Sequence, residues 1–238
     1  MKHYKDHARA ELKHWKSKVI KKPSVIDKLT KGSQKKINSI LPEKYHTIMT
    51  EAIKNISKAV ISGSEFITKK TYSDMSFYDR EELVRKKLET YKTTAMIEGA
   101  GTGAGGFLVG LADFPLLLSI KFKFLFDVAS VYGFDVKDYK ERLFILHVFQ
   151  LAFSSQEHIN KIFSEIENWD SYSETLPEDI NKFDWQTFQQ EYRDYIDLAK
   201  LLQMLPAIGA FVGAYVNSKL LDKLGETAMN CYRMRLLK

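Results

Sequence analysis

The sequence predicts an all-α fold: a helical domain around a central pair of glycine-rich apolar helices, with a basic amphipathic helix at the N-terminus. Apolar residues recur every three or four positions through most of the chain, which is the spacing of one helix face. Alternating stretches typical of strands are scarce, and the 238 residues include only five prolines. Glycines repeat at the same helical spacing in the two most apolar segments. These patterns are typical of helices packed on helices.

The N-terminal residues 2–21 are predicted to form an amphipathic helix that ends before Pro23. Lysines and Arg9 occupy most of its polar surface. Its apolar positions are spaced by three and four and form one stripe, made of Tyr4, Ala8, Leu12, Trp15 and Val19. A second, short basic helix is predicted over residues 24–40, before Pro42.

The charge of the chain changes sharply along its length. Residues 1–36 hold twelve lysines or arginines against Asp6, Glu11 and Asp27, whereas residues 157–197 carry a net charge of −8. This contrast predicts two parts, a basic helical arm over residues 1–40 and a helical domain over residues 41–238. A basic arm on a near-neutral body indicates a negatively charged partner.

The helices of the body are predicted from the spacing of their apolar residues. Ser76 or Asp79 suits the N-cap of the second of them. The stretch Ile120–Phe124 also alternates like a strand, but the length of its apolar pattern favours a helix. The predicted ranges are 43–68, 79–97, 95–131 with a break at Asp113 and Pro115, 138–154, 156–169, one helix from about Asp184, and 206–236.

Glycines line one face of each apolar segment. The first stripe comprises Gly99, Gly103, Gly106 and Gly110, and the second segment carries the pair Gly209 and Gly213. A glycine inside a helix costs about 1 kcal/mol relative to alanine, so another interaction must offset the cost. Close approach of a second helix backbone does so. We therefore expect the two segments to pack on each other, or each on a neighbouring helix.

Two environments suit such packing, the interior of a helical domain and a lipid bilayer. Four charged residues argue against a clean membrane span, since charge at mid-bilayer costs a few kcal/mol: Glu98, Asp113, Lys121 and Lys123. A buried or interfacial hairpin is the favoured interpretation, with spanning as the alternative. The string from Gly101 to Gly106 also matches the dinucleotide-binding pattern G-x-G-x-x-G, but a helix rather than a strand is predicted before it.

Three runs of residues resemble the EcsC family. They are Gly103-Ala-Gly-Gly-Phe-Leu-Val-Gly-Leu-Ala-Asp-Phe-Pro115, Tyr132-Gly-Phe-Asp135, and Leu205-Pro-Ala-Ile-Gly-Ala-Phe-Val-Gly-Ala-Tyr-Val-Asn217. The resemblance implies a bacterial protein encoded beside the Ecs ABC transporter, a system linked to protein secretion and processing. It implies an ABC transporter subunit as a partner. It brings no established activity and no catalytic residues.

Candidate ligand-binding residues are the polar side chains within or beside the glycine segments, namely Glu98, Asp113 and Asn217. Glu98 and Asn217 could bond each other across the packed pair, since a buried carboxylate needs a partner. Asp113 equally suits an N-cap before Pro115. No catalytic residue, cofactor or metal site is predicted. The N-terminal histidines His3, His7 and His14 share a helix face with Glu11, but the surrounding positive charge disfavours a metal ion.

The function predicted from these features is a non-enzymatic, membrane-peripheral accessory protein. Its partner is expected to be an anionic membrane surface, because lysines flanking an apolar stripe with Trp15 suit the lipid interface. A single cysteine, Cys231, fits a reducing compartment, and the expected location is the cytoplasmic face of the cell membrane. The alternatives are a lipid- or small-ligand-binding helical module, or an enzyme with a carboxylate site at the glycine segments. No nucleic-acid partner is expected, since no recognised motif accompanies the basic helix.

Overall fold

The computed structural model describes residues 2–20, 43–63, 66, 72, 74–103, 114–154, 158–182, 184 and 210–238. All regular secondary structure in these residues is helical, which confirms the predicted all-α fold. The α-helices described are α1 Lys2–Val19, α2 Glu43–Ser62, α3 Phe77–Gly103, α4 Phe114–Tyr132, α5 Tyr139–Phe153, α6 Ile159–Glu167, α7 Trp169–Glu174 and α8 Ala210–Leu236, with a 3₁₀ turn at Ile180–Lys182 after α7.

Helix ends follow local side-chain chemistry. Ser76 is the N-cap of α3, because its Oγ accepts a hydrogen bond from the backbone N–H of Asp79 at 3.2 Å and donates one to Asp79 Oδ2 at 2.6 Å. This confirms one of the two predicted caps. The helix then runs to Gly103, beyond the predicted end at residue 97, so the first glycines continue it.

Glycine in the left-handed backbone region ends two other helices. The prediction of a helix to residue 68 was wrong, because α2 stops at Ser62 and Gly63 follows with φ of 70°. Gly133, with φ of 93°, ends α4. There Phe134 N–H bonds Ala129 O and Gly133 N–H bonds Ser130 O, both at 3.0 Å, which is a Schellman motif.

Three long helices, α3, α4 and α8, form the centre of the domain. Helices α3 and α8 make the most extensive contact among the described elements and run antiparallel, with Lys92 beside Asp222 at 2.8 Å. Helix α4 is antiparallel to α3, with Lys87 Nζ 2.8 Å from Asp127 Oδ2. The stretch Ile120–Phe124 is helical, which confirms the prediction made from the length of its apolar pattern.

Helix α5 completes the core on the other side of α4. The rings of Phe122 and Phe149 are stacked with centroids 4.6 Å apart, and Phe149 also contacts Phe153. Every residue of α5 from Glu141 to Phe153 is buried, so this helix is covered on all sides. Helices α6 and α7 cover its outer face, where Trp169 packs edge-on against Phe144 at 5.0 Å.

The predicted contact between the glycine segments lies only partly within the described residues. Helices α3 and α8 do approach closely within the described residues, but away from the glycine segments. A Cβ on Gly225 of α8 would lie 2.7 Å from Leu88 Cδ2 of α3. The register set by this contact, if continued, brings residues 99–103 alongside residues 211–215. Packing of the two glycine segments on each other therefore stays a prediction.

Several expectations fall outside the described residues: the helix over 24–40, the helix from about residue 184, the boundary at residue 40, and the capping role of Asp113. Within the part of the chain that the structure describes, no helix combines the length and apolar character that crossing a bilayer requires.

Candidate functional site

Helix α1 lies across α3 and α8 and buries its predicted apolar stripe against them. Ala8 is fully buried, and Leu12 and Trp15 are less than one-tenth exposed. Tyr4 and Val19, at the two ends of the stripe, are half-buried, and the Trp15 ring reaches Phe163 of α6 at 6.1 Å. The stripe is therefore part of the protein core.

Polar contacts fix α1 along its length. The Tyr4 hydroxyl donates to Glu81 Oε2 at 2.7 Å, and Glu11 Oε2 lies 2.8 Å from Arg233 Nη2. Near the end of the helix, Lys16 Nζ lies 2.6 Å from Glu167 Oε1. These contacts join α1 to three different helices, α3, α8 and α6.

The outward surface of α1 is basic. The helix contains five lysines and Arg9 against two acids, Asp6 and Glu11. Lys5, Lys13 and Lys18 are exposed and make no ion pair among the described residues. Docking the apolar stripe therefore leaves a positively charged surface facing solvent, which suits an anionic partner.

A buried carboxylate of α3 bonds side chains from three other helices, including α1. Glu81 of α3 is fully buried and receives two hydrogen bonds from Arg233 of α8, Nε to Oε1 at 2.6 Å and Nη2 to Oε2 at 2.7 Å. Tyr132 of α4 donates to the same carboxylate at 3.2 Å. Burial alone would raise the pKa of Glu81, but the hydrogen bonds from Arg233 and Tyr4 outweigh burial and lower it.

A second buried acid lies in α5. Glu141 accepts from Tyr232 at 2.7 Å and lies 2.7 Å from Arg235 Nη1. The Arg235 guanidinium stacks over the rings of Phe134 and Phe144, at 3.7 and 4.4 Å from their centroids. Burial raises the pKa of Glu141, and the Arg235 charge only partly offsets this effect. The arrangement resembles a structural anchor, since every polar atom named has a partner.

Near the glycine segments, a buried amine contacts one of the predicted site residues. Lys121 of α4 is fully buried, and its Nζ donates to Asn217 Oδ1 at 3.3 Å and to Leu117 O at 3.5 Å. No carboxylate pairs with it among the described residues. Burial therefore lowers the pKa of Lys121 to about 7.

Of the three predicted ligand-binding residues, only Asn217 has its side chain within the described part of the chain. Asn217 is buried and bonds Lys121. Glu98 lies in α3, but its side chain is outside the described set, and Asp113 is outside it entirely. Their assignment stays a prediction. Lys121 was missed as a polar partner, although a lysine inside an apolar helical run was the available signal.

A cleft of about 400 Å³ lies between α1, α3 and α8. Apolar Trp15, Leu88 and Met229 line it together with charged residues that include Glu11 and Arg233. Because α1 supplies one wall, the shape of this cleft depends on α1 remaining docked.

Other reactive side chains are held in inert settings. His147 is buried against Trp169, burial lowers its pKa to about 4, and its Nδ1 lies 2.8 Å from Leu143 O. Burial also raises the pKa of the Cys231 thiol, which keeps it protonated at neutral pH. Within the described ranges, no group of three or more His, Cys, Asp or Glu side chains is placed to hold a metal ion.

Comparison with known proteins places this arrangement in a family. Protein EcsC from Bacillus subtilis (strain 168) is 48% identical over 229 residues, which covers 96% of this chain and 94% of that protein. The uncharacterized protein YdbA of the same organism is 30% identical over 226 residues, covering 89% of this chain and 81% of that protein. No solved structure matches significantly. The profile of the EcsC protein family matches residues 6–237, so the chain belongs to the EcsC family.

Proposed function

We propose that this chain is a non-enzymatic accessory protein that binds the inner face of the cell membrane through the basic outer surface of α1. The observation that carries the proposal is the orientation of α1, which buries its apolar stripe and turns Lys5, Lys13 and Lys18 to solvent. Anionic lipids attract such a surface with about 1 kcal/mol per basic residue close to it.

The charge of the chain is unevenly distributed along the sequence. Residues 1–36 hold twelve lysines or arginines against three acids, so an anionic membrane attracts this part of the chain. The partner at the membrane is, on the resemblance to the EcsC family, a subunit of an ABC transporter that serves protein secretion. The accessory protein thereby reaches its partner by a search along the bilayer surface.

The experiment is vesicle flotation of the full chain with neutral and with anionic lipids. The triple variant Lys5→Gln, Lys13→Gln and Lys18→Gln is expected to bind anionic vesicles roughly 100-fold more weakly, since three contributions of about 1 kcal/mol are lost. Raising the salt concentration should weaken wild-type binding, because exposed charges are screened.

The matched control removes the same charge elsewhere. Lys54, Lys58 and Lys137 are exposed and lie on α2 and in the loop after α4. Their replacement by glutamine should leave flotation within about threefold of wild type, since these positions are not on α1. Equal losses for the two triple variants, or no flotation of the wild type with anionic vesicles, contradict the proposal.

A further inference from the structure

The apolar stripe of α1 has the composition of a membrane-binding helix, yet it is covered by the protein's own body. Trp15 and Leu12 lie on one side of a helix that is otherwise rich in lysine, the pattern of helices that lie in the lipid interface. We propose that this covered stripe is a lipid-inserting surface, and that α1 leaves the body at an anionic bilayer. This inference rests on the proposed function and states how the protein attaches to the membrane.

If α1 separated from the rest of the protein, the buried charges beneath it would still have partners. When α1 departs, Glu81 loses the Tyr4 hydroxyl, and Arg233 loses Glu11. The two remaining groups still bond each other through both carboxylate oxygens, at 2.6 and 2.7 Å, and Tyr132 still donates to Glu81. A bidentate pair of this kind satisfies both charges. Undocking therefore leaves the bundle of α3, α4 and α8 with its central ion pair intact.

The ion pairs that α1 itself makes lie near the surface. Glu11 and Lys16 have side-chain exposures of 45% and 30% in their pairs with Arg233 and Glu167. Both groups are readily solvated after release. The pair of Lys16 and Glu167 is exposed on both sides and adds little to docking, whereas Glu11 meets the buried Arg233, which keeps Glu81 as its partner. The contact that distinguishes the docked state is the hydrogen bond from Tyr4 to the fully buried Glu81 carboxylate.

Docking and insertion are mutually exclusive, because both use the same stripe. In the docked state the Trp15 ring contacts Phe163, and in a bilayer it would contact lipid instead. Lipid would replace the cover of the stripe, but the surface around Phe163 would lose the cover of Trp15, so the attraction between lysines and anionic lipid has to outweigh that cost.

The first test weakens docking without changing charge. Tyr4→Phe removes the hydroxyl that bonds Glu81 but keeps the ring and the apolar stripe. If undocking precedes insertion, the variant should bind anionic vesicles about tenfold more tightly, because weakening the closed state raises the fraction competent to bind. Tyr78→Phe is the matched control, since Tyr78 is half-exposed and its ring contacts Tyr4 at 4.9 Å. It should bind like wild type.

The second test locates Trp15. Vesicles whose acyl chains carry bromine quench tryptophan emission only on contact with the hydrocarbon. Wild-type emission should be quenched, and the vesicle-bound fraction of Trp15→Phe should lose most of that quenching. Flotation without quenching, or equal quenching of Trp15→Phe and wild type, overturns the undocking while the proposed membrane binding stands. Absence of flotation contradicts both. An unchanged affinity of Tyr4→Phe also overturns the undocking.

Discussion

At the scale of single residues, burial and partners together decide which charges are stable. Glu81 is fully buried but has a bidentate arginine, so the charged form is favoured and its pKa is lowered. Lys121 is as deeply buried but has only two long hydrogen bonds to uncharged acceptors, so its neutral form is favoured. Both side chains are removed from water, but only the one with an oppositely charged partner is favoured in its charged form.

This contrast predicts a pH-dependent stability. The folded state holds the pKa of Lys121 at about 7, below the ordinary value of 10.5. Between these two values the unfolded chain binds a proton that the folded chain does not, so stability rises with pH across this window. Lys121→Met removes the penalty but also the hydrogen bond to Asn217, so it should stabilise the protein at pH 7 by about 2–4 kcal/mol.

Urea unfolding at pH 7 and at pH 9.5 measures this difference. The difference in free energy of unfolding between Lys121→Met and wild type should become smaller as pH rises, because burying a neutral Lys121 then costs less. A gap that stays constant, or a variant less stable than wild type at pH 7, contradicts the prediction. The comparison between the two proteins cancels the titration of all other groups.

The sequence identified Asn217 as a buried polar residue but did not predict its hydrogen bond from Lys121. Asn217 was singled out by its position after a glycine pair, and the structure does bury it. Lys121 lies 96 positions earlier in the chain, and only the parallel packing of α4 and α8 joins them. Spacing within one segment contains no information about which residue of another helix faces it.

At the scale of elements, local signals located most helices and erred at their ends. The capping pattern at Ser76 and the helical spacing after Phe114 were sufficient to place α3 and α4. The end of α2 at Gly63 was missed because apolar residues continue the same periodicity beyond it. A left-handed glycine stops a helix regardless of the apolar pattern that follows.

Gly133 and Gly225 have different backbone conformations, so the effect of alanine on stability can be compared between them. Gly133 has φ of 93°, and a Cβ there would also meet the Arg80 guanidinium, so Gly133→Ala should cost about 1–3 kcal/mol. Gly225 has ordinary helical geometry, and its Cβ would meet only the flexible end of Leu88. Alanine gains up to about 1 kcal/mol of helix propensity there, which offsets the contact.

Thermal unfolding of the two alanine variants checks this prediction. Gly133→Ala should lower the Tm clearly, whereas Gly225→Ala should stay within a few degrees of wild type. A larger loss at Gly225 would mean that Leu88 cannot move, and that close packing of α3 on α8 outweighs helix propensity.

At the scale of the whole molecule, one carboxylate connects four helices. Glu81 belongs to α3 and bonds Tyr4 of α1, Tyr132 of α4 and Arg233 of α8. Its loss leaves the buried Arg233 guanidinium with only the half-exposed Glu11 of α1, at 2.8 Å, as an acidic partner among the described residues. Removing one member of a buried pair is far more costly than removing a surface pair.

The variant Glu81→Gln should therefore lose about 3–5 kcal/mol of stability at pH 7. Its neighbour Glu82 is exposed and pairs with Arg85 at 2.7 Å, so Glu82→Gln is the matched control and should lose less than about 1 kcal/mol. Because the folded pKa of Glu81 is lowered, its stabilisation is present above the ordinary value of 4.5 and fades as pH falls below it.

Denaturant titrations at pH 7 and in acid measure both effects. The difference between Glu81→Gln and wild type should shrink in acid, where the wild-type carboxylate becomes protonated. Similar losses for Glu81→Gln and Glu82→Gln at pH 7 would show that the buried network does not hold the four helices together.

The sequence by itself determined the helical class, most helix positions, the basic character of α1 and the resemblance to the EcsC family, since each depends on residues close together in the chain or on motif order. Only the tertiary structure decided that the apolar stripe of α1 faces the body, that Glu81 meets Arg233 across 152 positions, and that Lys121 meets Asn217. Those pairings depend on how the helices cross and rotate, and periodicity along one helix leaves that rotation open.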